Sequence, residues 1–149
     1  MKIALITACG AKKLSHPAPA IKLYRSPRIK AVYNRSEGAD FYILSAKYGL
    51  VPAHQVLEPY DEVMTFQKAV KLAPVIAETI KNYDTAIFYR GGARREYLDC
   101  VVQACRLAKV SLIVIGYGQI GDINKIPQII KQLKKHYNFK SKFCIKLNR

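Results

Sequence analysis

Phe41-Tyr42-Ile43-Leu44-Ser45-Ala46-Lys47-Tyr48-Gly49-Leu50-Val51-Pro52 reads as a buried strand that ends at Ser45, and Glu58-Pro59-Tyr60-Asp61 follows soon after it. An apolar run without polar alternation marks a strand covered on both faces, which is the habit of parallel sheets. The residues released at its exit are a small hydroxyl, an amine, two phenols and two carboxylates. In open α/β sheets the strand exits are where ligands bind, so this stretch predicts both a fold and a site.

Three further runs have the same form: Lys2 to Thr7, Thr85 to Tyr89 and Ser111 to Ile115. Two of the segments between the runs carry a helical period. Phe66, Ala69, Val70, Ala73, Ala77 and Ile80 form one apolar stripe, with a bend expected at Pro74, and Leu98, Val101, Val102, Cys105 and Ala108 form another. A last helix is expected near Asn124, because Pro127 is tolerated in a first turn and Ile126, Ile129, Ile130 and Leu133 supply its apolar face. The basic tail from Lys134 to Arg149 alternates at Phe139, Phe143, Ile145 and Leu147, which predicts a short C-terminal edge strand. The expected fold is α/β: a single three-layer domain over residues 1–149, with a central, mainly parallel four-stranded sheet flanked by helices.

The length supports that reading, since a 149-residue chain can bury about two-thirds of its unfolded surface in one core. Twenty-five Lys and Arg against ten Asp and Glu give a net charge of +15. The charge is spread along the chain, and such a field attracts polyanions, nucleic acid above all; a merely Lys-rich surface is the alternative. The apolar run before Cys9 is too short for a signal peptide, and no stretch approaches the roughly 18 apolar residues of a membrane span. A cytoplasmic protein without membrane contact is expected, acting as a monomer or weak homodimer. Cys9, Cys100, Cys105 and Cys144 form neither a CxxC pair nor a zinc-finger spacing with His, so no metal and no cofactor are expected. Cys100 and Cys105 fall in an apolar helical stretch and read as core; His54 and His136 read as surface residues.

Four parallel strands place their polar exits along one edge. The first exit carries Cys9, Gly10, Lys12, Lys13, Ser15 and His16, and the second Ser45, Lys47 and Tyr48. The third carries Arg90, Gly91, Gly92, Arg94, Arg95, Glu96 and Tyr97, and the fourth Gly116, Tyr117, Gly118 and Gln119. At the third exit two glycines allow close approach of a ligand, and the following helix offers unpaired N–H groups beside arginines, which predicts a phosphate or carboxylate seat. The GxxxxGK[ST] spacing of a Walker loop is absent, and the Gly116-Tyr117-Gly118 turn lacks the third glycine of a dinucleotide fingerprint. Cys9 beside Lys12 and Lys13 is a candidate nucleophile, because nearby cations favour the thiolate; a small apolar residue at a tight strand end is the competing reading. The Pro-rich loop from His16 through Tyr24 to Ser26-Pro27 is expected to form one wall of a pocket. Asp61 has two readings, a catalytic carboxylate or the cap of the next helix, and Tyr48 likewise reads as a stacking ring or as packing.

Ser45-Ala46-Lys47-Tyr48-Gly49-Leu50, Pro52, Glu58-Pro59-Tyr60 and Met64, with Arg90-Gly91-Gly92-Ala93-Arg94-Arg95-Glu96-Tyr97 later, resemble the YaaA family, whose known member is a DNA-binding peroxide-stress protein. Small uncharacterised domains that keep Cys9-Gly10, Lys12-Lys13 and Pro17-Ala18-Pro19-Ala20 are similar as well. More distantly, Cys9, Lys13, Ser15 and His16 resemble the motif of archaeosine synthase, in which the Cys is the nucleophile toward a nitrile of a deazaguanine base, although the spacing before His16 differs. The strand layout is also similar to the uracil-DNA glycosylase superfamily, which flips bases into a pocket at this sheet edge.

Three functional readings follow. The simplest is a DNA glycosylase-like, base-processing enzyme bound to nucleic acid, DNA more than RNA. Its catalytic candidates are Cys9, Ser45, Glu58 and Asp61. Lys12, Lys13, Lys47, Arg90, Gly91, Gly92 and Arg94 would hold phosphates, while Tyr48, Tyr60 and Tyr97 would stack on the base. The second is a Cys9-dependent enzyme acting on a deazaguanine. The third is a non-catalytic DNA-binding stress protein that uses the same edge to grip backbone.

Overall fold

A computed structural model describes residues 1–118 and 121–147, with residues 139–147 described by their backbone alone. The elements in chain order are β1 (Ile3–Ala8), β2 (Ala18–Pro19), α1 (Ala20–Leu23), α2 (Pro27–Tyr33), β3 (Asp40–Ser45), β4 (Gly49–Pro52), β5 (Val56–Leu57), α3 (Phe66–Ile80), β6 (Thr85–Tyr89), α4 (Arg95–Ala108) and β7 (Ser111–Ile115). A 3-10 turn over Asp122–Lys125 then leads into α5 (Ile126–Leu147). The chain is α/β, with one mostly parallel sheet flanked by helices in three layers.

The sheet has five strands in the order β4-β3-β1-β6-β7. The four apolar runs form its parallel part: β1 lies between β3 and β6, and β7 lies outside β6. All six residues of β1 are buried, as expected of a central strand covered on both sides.

The fifth strand corrects the four-stranded expectation. After Ser45 the chain turns through Ala46-Lys47-Tyr48 and returns as β4, antiparallel to β3 with Ser45 opposite Gly49. Two local devices make this hairpin. The Ser45 hydroxyl accepts from the N–H groups of Lys47 and Tyr48 at 3.1 and 3.0 Å, and Gly49 takes φ +76°, a left-handed value that favours glycine.

Two helices arise where the sequence reading had a Pro-rich loop. Ser26 caps α2 by accepting from the Ile29 N–H at 3.3 Å, and Pro27 occupies its first turn; α1 precedes it, and β2 pairs with β5 in a separate two-stranded ribbon. The helix over Phe66–Ile80 runs through Pro74 and is capped by Thr65, whose hydroxyl accepts from the Lys68 N–H at 3.2 Å. Asp61 is therefore not that helix's cap.

The C-terminal edge strand is not formed, because the chain is helical from Ile126 through Leu147. Phe139, Phe143 and Leu147 recur every four residues, a helical period that the alternation had obscured.

The topology positions the site. From β1 the chain crosses to β3 on one side, whereas β6 returns to the other side of β1 and leads outward to β7. Right-handed crossovers in opposite directions send the connecting segments to opposite faces of the sheet, so the loops after β1 and β6 diverge and leave a crevice between them.

Candidate functional site

A cavity of about 340 Å³ fills that crevice. Its lining comes from Cys9, Gly10, Ala11 and Lys13 after β1, Arg28 in α2, Asp61, Glu62 and Val63 before α3, Gly92, Ala93 and Arg94 after β6, and Tyr97 in the first turn of α4. The volume is at the lower end of small-molecule pockets, which begin near ~300 Å³.

Cys9 is 7% exposed, and its Sγ lies 3.2 Å from the Tyr97 hydroxyl. The register that seats it is set by the backbone, because the Cys9 N–H donates to the Leu44 carbonyl at 2.9 Å. Tyr97 is itself buried, and burial, with the nearby Cys9 charge second, pushes its phenol well above the ordinary tyrosine range. It is therefore a neutral phenol at physiological pH, able to donate to the sulfur.

Arg28 went unnoticed in the sequence, although Ser26-Pro27 is a helix-start signature that places it in a first turn. Its NH1 group donates to Thr7 Oγ1 at 2.7 Å and to the Ala8 carbonyl at 2.9 Å, which ties α2 to the end of β1 beside Cys9. Partial burial, opposed by the nearby Cys9, Tyr89 and Tyr97 groups, moves its guanidinium below the usual arginine value.

Beside the cavity, and sharing Ala11, Lys13 and Asp61 with it, is a groove lined also by Leu14, Ser15, Pro59 and Tyr60. Here three hydroxyls form a buried chain. Tyr60 bonds to Ser45 at 2.7 Å and also to the Tyr24 hydroxyl, while the Lys13 ammonium sits 4.4 Å from the centre of the Tyr60 ring. Burial raises both phenols, Tyr24 to about 12 and Tyr60 further.

The structure thus gathers Cys9, Lys13, Asp61, Gly92, Arg94 and Tyr97 at one cavity, with Tyr60 on the adjoining groove. The other candidates stand elsewhere. Ser45 is fully buried, its oxygen committed to Tyr60 and the hairpin amides, so it belongs to the scaffold of β3 and β4. Glu58 is exposed and lines neither the cavity nor the groove. Lys12 is exposed beyond the lining. Lys47 is also exposed, its ammonium 5.3 Å from the Tyr48 ring. Tyr48 is half-buried and packs edge-on against Tyr60, with ring centres 5.6 Å apart.

At the third and fourth exits half-buried Arg90 stacks at 4.6 Å over the exposed Tyr117 ring, making a cation–aromatic pair. Gly91 has a packing reason instead of a ligand-binding one: a Cβ there would stand 2.7 Å from the Tyr89 ring. Gln119 lies outside the described residues.

Arg94 precedes α4 without capping it and pairs instead with Glu96 at 3.5 Å, so among the described residues the leading amides of that helix have no side-chain partner. Of the two carboxylates in the lining, Glu62 is paired with Lys68 at 2.8 Å, a hydrogen bond that holds its carboxyl below the usual range. Asp61 has no ion pair among the described residues. Cys100 and Cys105 are buried and forced up by burial to about 12 and about 11, as core thiols. Among the described residues no group of three or more His, Cys, Asp or Glu is placed to hold a metal ion, and no helix is long and apolar enough to cross a membrane.

A family model described as a family of unknown function, DUF6884, matches residues 3–119, a span that contains every strand and every cavity residue. No curated protein and no solved structure matches the chain.

Proposed function

We propose that the chain, which belongs to the DUF6884 family of unknown function, is a cytoplasmic nucleic-acid-binding enzyme that admits one nucleobase to the Cys9 cavity and acts on it. One observation carries the reading: the near-buried Cys9 thiol meets the Tyr97 phenol inside a cavity whose lining supplies Lys13, Arg28 and Arg94. In this reading the Cys9 sulfur adds to a carbon of the base that is multiply bonded to nitrogen, the π pair moves to that nitrogen, and the nitrogen takes up the thiol proton. Tyr97 orients the thiol, and the net charge of +15 draws the polyanion to the mouth. Extruding a base from a stack costs a few kcal/mol, which phosphate contacts by Arg94 and the Arg90–Tyr117 pair would offset.

A second reading, base excision in the manner of a glycosylase, is favoured by Asp61, a carboxylate in the same lining without an ion pair among the described residues. The test for both is incubation of the pure protein with end-labelled duplexes and single strands carrying uracil, hypoxanthine, hydroxymethylated and deazaguanine bases, followed by alkaline cleavage and mass spectrometry. A base altered but retained, with the change lost in Cys9→Ala, supports thiol chemistry. A released base, with release lost in Asp61→Asn, supports excision instead. Binding without any product leaves a non-catalytic DNA-binding protein, and no binding to DNA or RNA at low salt removes the nucleic-acid reading altogether.

A further inference from the structure

We infer that Arg28 is the specificity-determining cation of the cavity, seating an oxyanion of the substrate, phosphate or carboxylate, beside Cys9. The inference rests on the cavity being the substrate site, but not on nucleic acid being the substrate.

Arg28 is half-buried, and among the described residues no carboxylate pairs with it. A guanidinium removed from water without a counter-charge is costly, and the cost falls when an anion enters. Its NH1 group is already anchored to Thr7 and to the Ala8 carbonyl, so the side chain is held in place before any ligand arrives. The Nε and NH2 groups have no hydrogen-bond partner among the described residues, and that is the edge a planar oxyanion takes in bidentate fashion.

Gly92 makes the approach possible. Its φ is +73°, and a Cβ there would stand 3.2 Å from the Arg28 Nε. The chain after β6 thus passes close against the guanidinium without a side chain to cover it. The start of α4, which Arg94 does not cap, adds the positive end of a helix dipole to the same wall, while Arg94 itself is paired with Glu96 at 3.5 Å. Of the carboxylates nearby, Glu62 is paired with Lys68 and Glu96 with Arg94, and Asp61 is exposed, which leaves Arg28 as the cation of this wall without a carboxylate partner among the described residues. An anion at Arg28 would place the neighbouring atoms of its carrier at the Cys9 thiol. In a polynucleotide the anion would be the phosphodiester beside the admitted base.

The test is a titration of the 15N-labelled full chain with inorganic phosphate and, separately, with acetate, following the Arg28 Nε–H and the amides of Gly92 through Glu96. Saturable shifts centred on these groups, weakened about tenfold in Arg28→Lys and abolished in Arg28→Gln, support the seat, and the tighter of the two anions identifies its natural class. Shifts scattered over surface lysines, or an affinity unchanged in Arg28→Lys, overturn it. Should Arg28→Gln fail to fold, the wild-type map and Arg28→Lys decide the matter. A second readout is Cys9 alkylation: the rate ratio of anionic iodoacetate to neutral iodoacetamide should exceed that of free cysteine and fall in Gly92→Ala. A protein that passes these tests yet binds no DNA or RNA keeps the oxyanion seat and loses the nucleic-acid reading.

Discussion

The sulfur of Cys9, at the end of the central strand, lies 3.2 Å from the hydroxyl of Tyr97, 88 residues further along the chain. The contact spans the crevice between the loops after β1 and β6. Since burial keeps Tyr97 protonated, its hydroxyl can donate to the sulfur over the whole physiological range. Tyr97→Phe removes that donor and leaves the ring in place. The loss of one hydrogen bond of about 0.5–1.5 kcal/mol should slow Cys9 alkylation by iodoacetamide at pH 7 by roughly 2- to 10-fold with little change in Tm. An unchanged rate would show that the phenol does not act on the thiol.

Ser45→Ala strips a fully buried oxygen that serves Tyr60 and two backbone amides. Leaving those partners unpaired costs about 1–3 kcal/mol, a fall in Tm of several degrees for a domain of this size. Urea denaturation should register the loss, while the rate of Cys9 alkylation stays near wild type.

Alkaline pH should destabilise the protein before neutral or mildly acidic pH does. Tyr24 rises from 10.0 to about 12 in the folded state, chiefly through burial. The folded chain therefore holds this proton more tightly than the unfolded one. The associated stability is complete below pH 10 and is lost as the pH climbs from 10 toward 12, by an order of 2–3 kcal/mol for this group alone. Urea midpoints at pH 8 and pH 11 measure it, and Tyr24→Phe should reduce the difference. Equal midpoints would contradict the burial of the tyrosine chain.

Glu58 and Asp61 lie three positions apart, yet only Asp61 lines the cavity. Glu58→Gln should leave any base-directed activity within about twofold of wild type. Asp61→Asn should abolish base release if excision is the chemistry. Arg90→Ala and Arg94→Ala should each weaken nucleic-acid binding and lower the slope of log K against log salt by about 1, measured by fluorescence anisotropy across a salt series.

Gly116→Ala should destabilise the protein more than an ordinary surface substitution. Its φ is +90°, and the new Cβ would meet the Gly91 nitrogen at 2.8 Å and the Tyr89 ring at 3.0 Å. Backbone strain and overpacking together amount to about 2–4 kcal/mol, which thermal melting would reveal.

The four apolar runs marked the parallel strands within a residue or two, because burial on both faces leaves a continuous signature in the chain itself. Helices α3, α4 and α5 were legible for a similar reason, their apolar stripes recurring at the helical period. The hairpin after Ser45 was not, since Gly49-Leu50-Val51-Pro52 is too short to carry a pattern of its own, and its cause is a hydroxyl shared between two amides. Helices α1 and α2 hid behind prolines, although Ser26-Pro27 is an ordinary helix start.

The sequence by itself determined the fold class, the set of strand exits and the chemistry available there, because periodicity and residue type are properties of neighbours along the chain. Only the tertiary structure decided which of those residues meet. The order β3-β1-β6 places the ends of β1 and β6 side by side, which joins Cys9 to Tyr97 and Gly92 and leaves Glu58 and Ser45 outside the cavity. Arg28 arrives there through a hydrogen bond to the strand end 20 residues before it, a contact that no local pattern encodes. Strand order is fixed by how whole faces pack, so a site made at a crevice between strands is written in the packing and not in the neighbours of any one residue.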